Sequence, residues 1–237
     1  MKNSNGHAAK WYAPIMVAAL VVGFAPAGTG ITGTSSVGAD TTFLASSFSV
    51  LGGPGVTCTT SATTGDLGVA TTTAFTNTGC AISGTIHAGD AVAAQAYSDF
   101  GTAYNEIAAL TCTGGSLTGT LAGQTLAPGV YCVSAVAKTG VLTLNGPADA
   151  SWTFKVMDGA TTGALTGTNF SVVMAGGGVA CNVIWWTEAA ATLTDSDFSG
   201  RILSGAGLTI TRGRLVGQVF AKAAVTLTNV ASLSGCN

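Results

Sequence analysis

Charge is scarce in this chain. Only 8% of its 237 residues are charged, 8 Lys+Arg against 10 Asp+Glu, about a third of the share usual in soluble domains. A net charge of −2 leaves no basic face for nucleic acid and no Lys/Arg run for an anionic membrane. The 5 prolines, without a Gly-X-Y period, exclude a triple helix. A mean hydropathy of +0.51 argues against disorder, which goes with high charge and low hydrophobicity. Histidine is nearly missing, and no Cys-x-x-Cys occurs, so a zinc site is not expected. No phosphate loop or other metal-ligand cluster is visible, and no cofactor is expected. Small residues take up the space instead, with 34 Gly, 39 Ala and 36 Thr. The surface should therefore be one of hydroxyls and methyls over a β-rich core.

The N-terminus reads as a secretory signal. Lys2 and Lys10 precede an apolar run from Ala13 to Phe24, and Ala25-Pro26-Ala27 offers small residues at A-x-A spacing. The run falls short of the roughly 20 apolar residues that a membrane span requires. Residues 1–27 are therefore predicted as signal peptide, 28–39 as linker, and 40–237 as a single exported domain, extracellular or periplasmic, monomeric, with neither nucleic acid nor membrane as partner. Export places Cys58, Cys80, Cys112, Cys132, Cys181 and Cys236 in an oxidising compartment, where disulfides form. Spacing favours Cys58–Cys80 and Cys112–Cys132, and Cys181–Cys236 follows only by elimination.

One segment has a helical period. Val92, Ala96, Phe100, Ala103, Ile107 and Leu110 recur at intervals of three and four behind the N-cap candidate Asp90, which predicts a helix over about 89–110 with an apolar stripe against the rest of the protein. Elsewhere Thr alternates with apolar residues in short runs broken by Gly, the pattern of strands.

Those strands repeat. Asn182-Val183-Ile184-Trp185, Arg201-Ile202-Leu203-Ser204 and Gln218-Val219-Phe220-Ala221 align with one another, and each is followed by a Thr-aliphatic-Thr centred on Leu193, Ile210 or Leu227, 17 residues apart. Seventeen residues make one rung of a three-sided β-solenoid. Weaker copies lie on both sides of the helix, which predicts one solenoid assembled from both ends of the chain, with the helix and a cysteine-bounded segment at about 111–132 inserted. That segment is expected to cap an open end, where strand edges would be exposed.

If Leu193, Ile210 and Leu227 point inward, then Thr192, Thr194, Thr209, Thr211, Thr226 and Thr228 point outward. They form two columns, with about 4.8 Å between rungs and about 6.7 Å within a strand. β-Branched threonines are stiff at χ1, so such an array is rigid before it binds anything. It lacks the concavity a small molecule needs and the aromatic or Arg anchors usual for a protein partner. A crystalline surface fits better, and ordered water is such a surface.

The chain also resembles the microbial ice-binding proteins, on Phe48-Ser49-Val50-Leu51-Gly52-Gly53, Gly65-Asp66-Leu67-Gly68-Val69, the stretch from Gly84 to Ala96, Ala103-Tyr104, Leu126-Ala127-Pro128-Gly129-Val130-Tyr131 and Ala180-Cys181-Asn182-Val183-Ile184-Trp185. The resemblance covers roughly residues 40–235. It implies a discontinuous right-handed β-solenoid with a long flanking helix, a Thr-rich face, and binding to ice with thermal hysteresis or inhibition of recrystallisation. The family's Thr-Gly/Ala-x-Thr/Asn pattern is met by Thr166-Gly167-Thr168-Asn169 and Thr73-Ala74-Phe75-Thr76, so Thr166, Thr168, Thr72 and Thr76 are candidates for extending the face. Two rungs depart from it, Thr194-Asp195-Ser196-Asp197 and Thr211-Arg212-Gly213-Arg214. Their opposite charges are one rung apart and could pair, yet they would disturb an ice lattice if they projected from the binding face.

Catalysis is not expected. Asp195/Asp197 beside Arg212/Arg214 reads as a charge ladder, His87 and Asp90 as a helix cap beside a satisfied histidine, and Asp66 as a carboxylate on nearby backbone amides. The competing reading is an adhesive or carbohydrate-binding solenoid without ice affinity, which would rest on Trp152, Trp185 and Trp186.

Overall fold

The computed structural model describes residues 47–159 and 162–236, so the predicted signal and linker lie outside the described residues. The described residues open with a coil of β1 (Phe48–Gly52), β2 (Val56–Thr59) and β3 (Ala62–Thr64). A second coil follows, β4 (Asp66–Val69), β5 (Phe75–Thr78) and β6 (Ala81–Ile82), and β7 (Ile86–Ala88) leads into α1 (Ala91–Ala109). Beyond the helix come β8 (Gly115–Leu117) with β9 (Thr125–Leu126), β10 (Gly129–Val133) with β11 (Lys138–Asn145), and β12 (Trp152–Val156) with β13 (Leu165–Ala175). The last coils are β14 (Val183–Thr187) with β15 (Ala191–Ser199), β16 (Arg201–Ser204) with β17 (Leu208–Val216), and β18 (Val219–Ala221) with β19 (Val225–Thr228) and β20 (Ser232–Ser234).

These coils stack into a right-handed three-sided β-solenoid. The first face is a nine-stranded parallel sheet in the order β7-β4-β1-β18-β16-β14-β12-β10-β8. The order shows the discontinuity: the chain winds outward from β1 to β7, crosses to the far end, and winds back until β18 meets β1 through Val50↔Val219 and Leu51↔Phe220. The crossing is made by α1. Its 19 residues span about 28 Å at 1.5 Å per residue, which is close to six strand spacings. A second, eleven-stranded sheet supplies the other two faces, because β11, β13, β15 and β17 are long enough to turn a corner.

Both sides of the central strands of the first face are buried, which explains apolar stretches such as Val183–Trp186. In β14, Val183 and Trp185 point into the solenoid, where Trp185 stacks on Phe154 with ring centroids 4.1 Å apart. Ile184 and Trp186 point the other way, into a layer with Phe48, Leu51, Leu203 and Phe220 beneath the helix. Ala96, Phe100, Ala103, Tyr104 and Ile107 close that layer from above. Val92 was expected in this stripe, but it is 51% exposed, and Ala93 is buried in its place. Asp90 caps the helix, its Oδ1 accepting the Ala93 N–H at 2.8 Å and its Oδ2 lying 2.7 Å from His87 Nδ1. At the other end Lys155 Nζ donates to the Ala108 and Leu110 carbonyls, giving orphan acceptors at the negative pole of the helix one shared cationic donor.

Of the segment 111–132, the part up to Leu126 forms the terminal coil at that end, with β8 and β9 as edge strands of their sheets, and the remainder enters β10 of the next coil. Disulfides join Cys58 to Cys80, Cys112 to Cys132, and Cys181 to Cys236. Asp66 bonds across one coil, its Oδ1 accepting the Thr85 N–H at 2.8 Å.

Candidate functional site

The second face carries a lattice of threonines. On β15, β17 and β19 the parallel register aligns Thr192, Thr209 and Thr226 in one column and Thr194, Thr211 and Thr228 in another. Leu193, Ile210 and Leu227 are buried between them. β13 extends both columns at one end with Thr166 and Thr168. At the other end the register continues across the seam between the two halves of the chain, onto Thr57 and Thr59 of β2 and then Thr76 and Thr78 of β5. Six rungs of two threonines result.

The row between the columns reads Gly167, Leu193, Ile210, Leu227, Cys58, Asn77. At Gly167 a Cβ would stand only 2.8 Å from Leu193 Cδ2, so a glycine lets that rung close onto its neighbour. Threonines at the margins of the array, such as Thr76, Thr166 and Thr168, are exposed, whereas Thr194, Thr209, Thr211, Thr226 and Thr228 are partly shielded by one another. Among the described residues none of the twelve hydroxyls is held by another protein group, so each is open to water.

Thr57, Thr59 and Thr78 escape the sequence reading, although Thr57-Cys58-Thr59 is itself a Thr-x-Thr. Thr72 does not belong to the array. It lies in the turn before β5, with its hydroxyl donating to the Pro54 carbonyl at 2.7 Å and accepting the Ala74 N–H at 3.0 Å.

One further regularity bounds the face. The residue after each second-column threonine has a positive φ: Gly79 (76°), Thr60 (45°), Asn229 (53°), Arg212 (60°), Asp195 (51°) and Asn169 (49°). This left-handed position makes the corner that sends the chain onto the third face. It suits Gly, and Asn or Asp next, while other side chains meet a steric cost of roughly 1–2 kcal/mol. At the corner Arg212 Nε donates to Asp195 Oδ1 at 2.5 Å and Nη2 donates to Oδ2 at 2.7 Å. The bidentate hydrogen bonding holds the Asp195 carboxyl below its usual range and raises the Arg212 guanidinium. Asp197 and Arg214 are register partners beyond the corner, on the third face.

Trp152, Trp185 and Trp186 do not form a surface platform. All three are buried, the first two within the solenoid and the third under the helix, which removes the aromatic basis of the carbohydrate-binding reading.

The solenoid, backed by its helix on one side, thus presents on another an in-register, uncharged lattice of hydroxyls and methyls. The sequence profile of the family described as Ice-binding-like matches residues 27–232, and the chain belongs to that family. An ice-binding protein from Nostoc sp. (strain HG1) is 44% identical over 174 residues, 71% of this chain and 63% of that protein. The chain therefore spans less than two thirds of this relative's length. Among solved structures, the ice-binding protein of the Antarctic ascomycete Antarctomyces psychrotrophicus matches with a TM-score of 0.76 and 32% identity, covering 84% of this chain and 98% of that one. An ice-binding protein from an Antarctic biological consortium matches with a TM-score of 0.74 and 30% identity, covering 81% and 90%.

Proposed function

We propose that this protein binds ice through the twelve-threonine face, slowing crystal growth and recrystallisation and producing thermal hysteresis. The in-register double column carries the reading. Its repeat is set by the backbone at about 4.8 and 6.7 Å, and its β-branched side chains leave little rotamer freedom to lose on adsorption. Methyls can settle into hollows of an ice plane while unengaged hydroxyls join its hydrogen bonds. Membership of a family of ice-binding proteins, which are not enzymes, supports binding without catalysis.

The three disulfides and the signal-like residues 1–27 support export of the protein and action outside the cell. The test is direct observation of a single ice crystal grown in purified protein. Facets and a hysteresis gap support the reading, and a freely growing disc at saturating protein contradicts it.

A further inference from the structure

We propose that the Asp195–Arg212 pair is a positioning device for the ice-contacting threonines. This rests on the threonine face as the ice-binding surface. Asp195 and Arg212 directly follow Thr194 and Thr211 in the chain, and those threonines are neighbours in the second column. The pair sits at the corner, at the rim of the array, linking β15 to β17.

Two features of the site call for a role. The first is backbone conformation. Gly79, Asn229, Asn169 and Asp195 suit a left-handed φ, whereas Thr60 (45°) and Arg212 (60°) do not, and of these two it is Arg212 whose side chain bonds to the neighbouring corner. At this corner the long side chain closes a two-point link to the next rung. A bidentate guanidinium–carboxylate pair fixes orientation as well as distance, so it constrains how the two corners, and the threonines before them, sit relative to each other.

The second feature is hydration. A lone guanidinium or carboxylate beside the outer threonine column would hold a tight water shell against the lattice that the face must meet. Paired, each charge satisfies the other, and the rim stays neutral. Asp197 and Arg214 need no such arrangement, since they face away on the third side.

The test uses Arg212→Gly and Asp195→Asn, both of which suit a left-handed backbone, and the exchanged pair Asp195→Arg/Arg212→Asp. Hysteresis and melting temperature are measured on the same preparations, with Thr211→Tyr alongside. The expected result is that Arg212→Gly and Asp195→Asn melt no lower than the parent, yet lose hysteresis by about two- to fivefold, and that the exchanged pair recovers most of it. Full hysteresis in both single variants overturns the proposal. So does a fall in melting temperature with hysteresis intact well below melting, which would assign the pair to stability alone. If Thr211→Tyr abolishes hysteresis while the single variants keep it, this inference fails and the threonine face stands. If Thr211→Tyr is fully active, both fail together.

Discussion

Trp186 donates its indole N–H to the Tyr104 carbonyl at 3.0 Å, with ring centroids 5.0 Å apart. The Tyr104 hydroxyl returns the link, donating to the Thr187 carbonyl at 2.9 Å. Helix and sheet are thus fastened twice at one point, on the side of the solenoid away from the threonines. Tyr104→Phe should cost about 1 kcal/mol through the lost hydrogen bond alone, because the Thr187 carbonyl keeps the Gly205 N–H at 2.9 Å. Trp186→Ala should cost about 3–5 kcal/mol through the cavity it leaves. Chemical denaturation measures both, and an unchanged unfolding midpoint for Trp186→Ala would contradict the buried placement of that ring.

Lys138 makes stability depend on pH in an unusual direction. It is fully buried at a core position in register with Gly167. Its Nζ donates to the Gly119 and Ser134 carbonyls, each at 2.8 Å. Burial pushes its pKa down to about 8, below its value in the unfolded chain, so between those two values the unfolded state binds more protons. Stability from this group therefore rises with pH across that window. The neutral amine keeps donors for both carbonyls. Measured against Lys138→Met, the parent should gain about 2–3 kcal/mol between pH 7 and pH 10. A pH-independent difference, or a loss, would show that the ammonium is not penalised by burial.

Cys58 lies in the central row of the lattice, and its disulfide to Cys80 anchors the rungs that carry Thr57, Thr59, Thr76 and Thr78. The bridge closes a loop with a sequence separation of 22, and a loop of that size is worth about 3 kcal/mol in the chain-entropy model. Cys58→Ala/Cys80→Ala should lose about that much. Amide exchange should accelerate first in residues 75–82, at the edge of the stack. Uniform acceleration across the solenoid would mean that the terminal rungs are not held separately.

Much of this was legible because it is local. The period of Ala96, Phe100, Ala103 and Ile107 places a helix, and the 17-residue spacing of Leu193, Ile210 and Leu227 places three rungs in register. The array's other end was hidden because it is set by a long-range seam: Thr226 meets Thr57 only after β19 pairs with β2. At that end the middle row holds Cys58 and the exposed Asn77 where the repeat has aliphatics, so the pattern is disguised. Thr72 shows the converse. It looks like its neighbours in sequence, but its hydroxyl is consumed by a turn. Strand alternation alone suggests that one of Trp185 and Trp186 could face outward. Both are buried because the helix covers the second side of the sheet.

The most direct test replaces Thr211 with tyrosine, in a second-column position flanked by Thr194 and Thr228, and measures thermal hysteresis and Tm on one preparation. Thr72→Tyr, exposed but outside the lattice, serves as the control. A ring at Thr211 should lift the face from the ice plane while the buried Ile210 row stays intact. Hysteresis should collapse by about tenfold or more with Tm shifted by no more than about 3 °C, and Thr72→Tyr should keep its activity. A folded Thr211→Tyr protein with full hysteresis would mean that ice is bound by another surface of the solenoid.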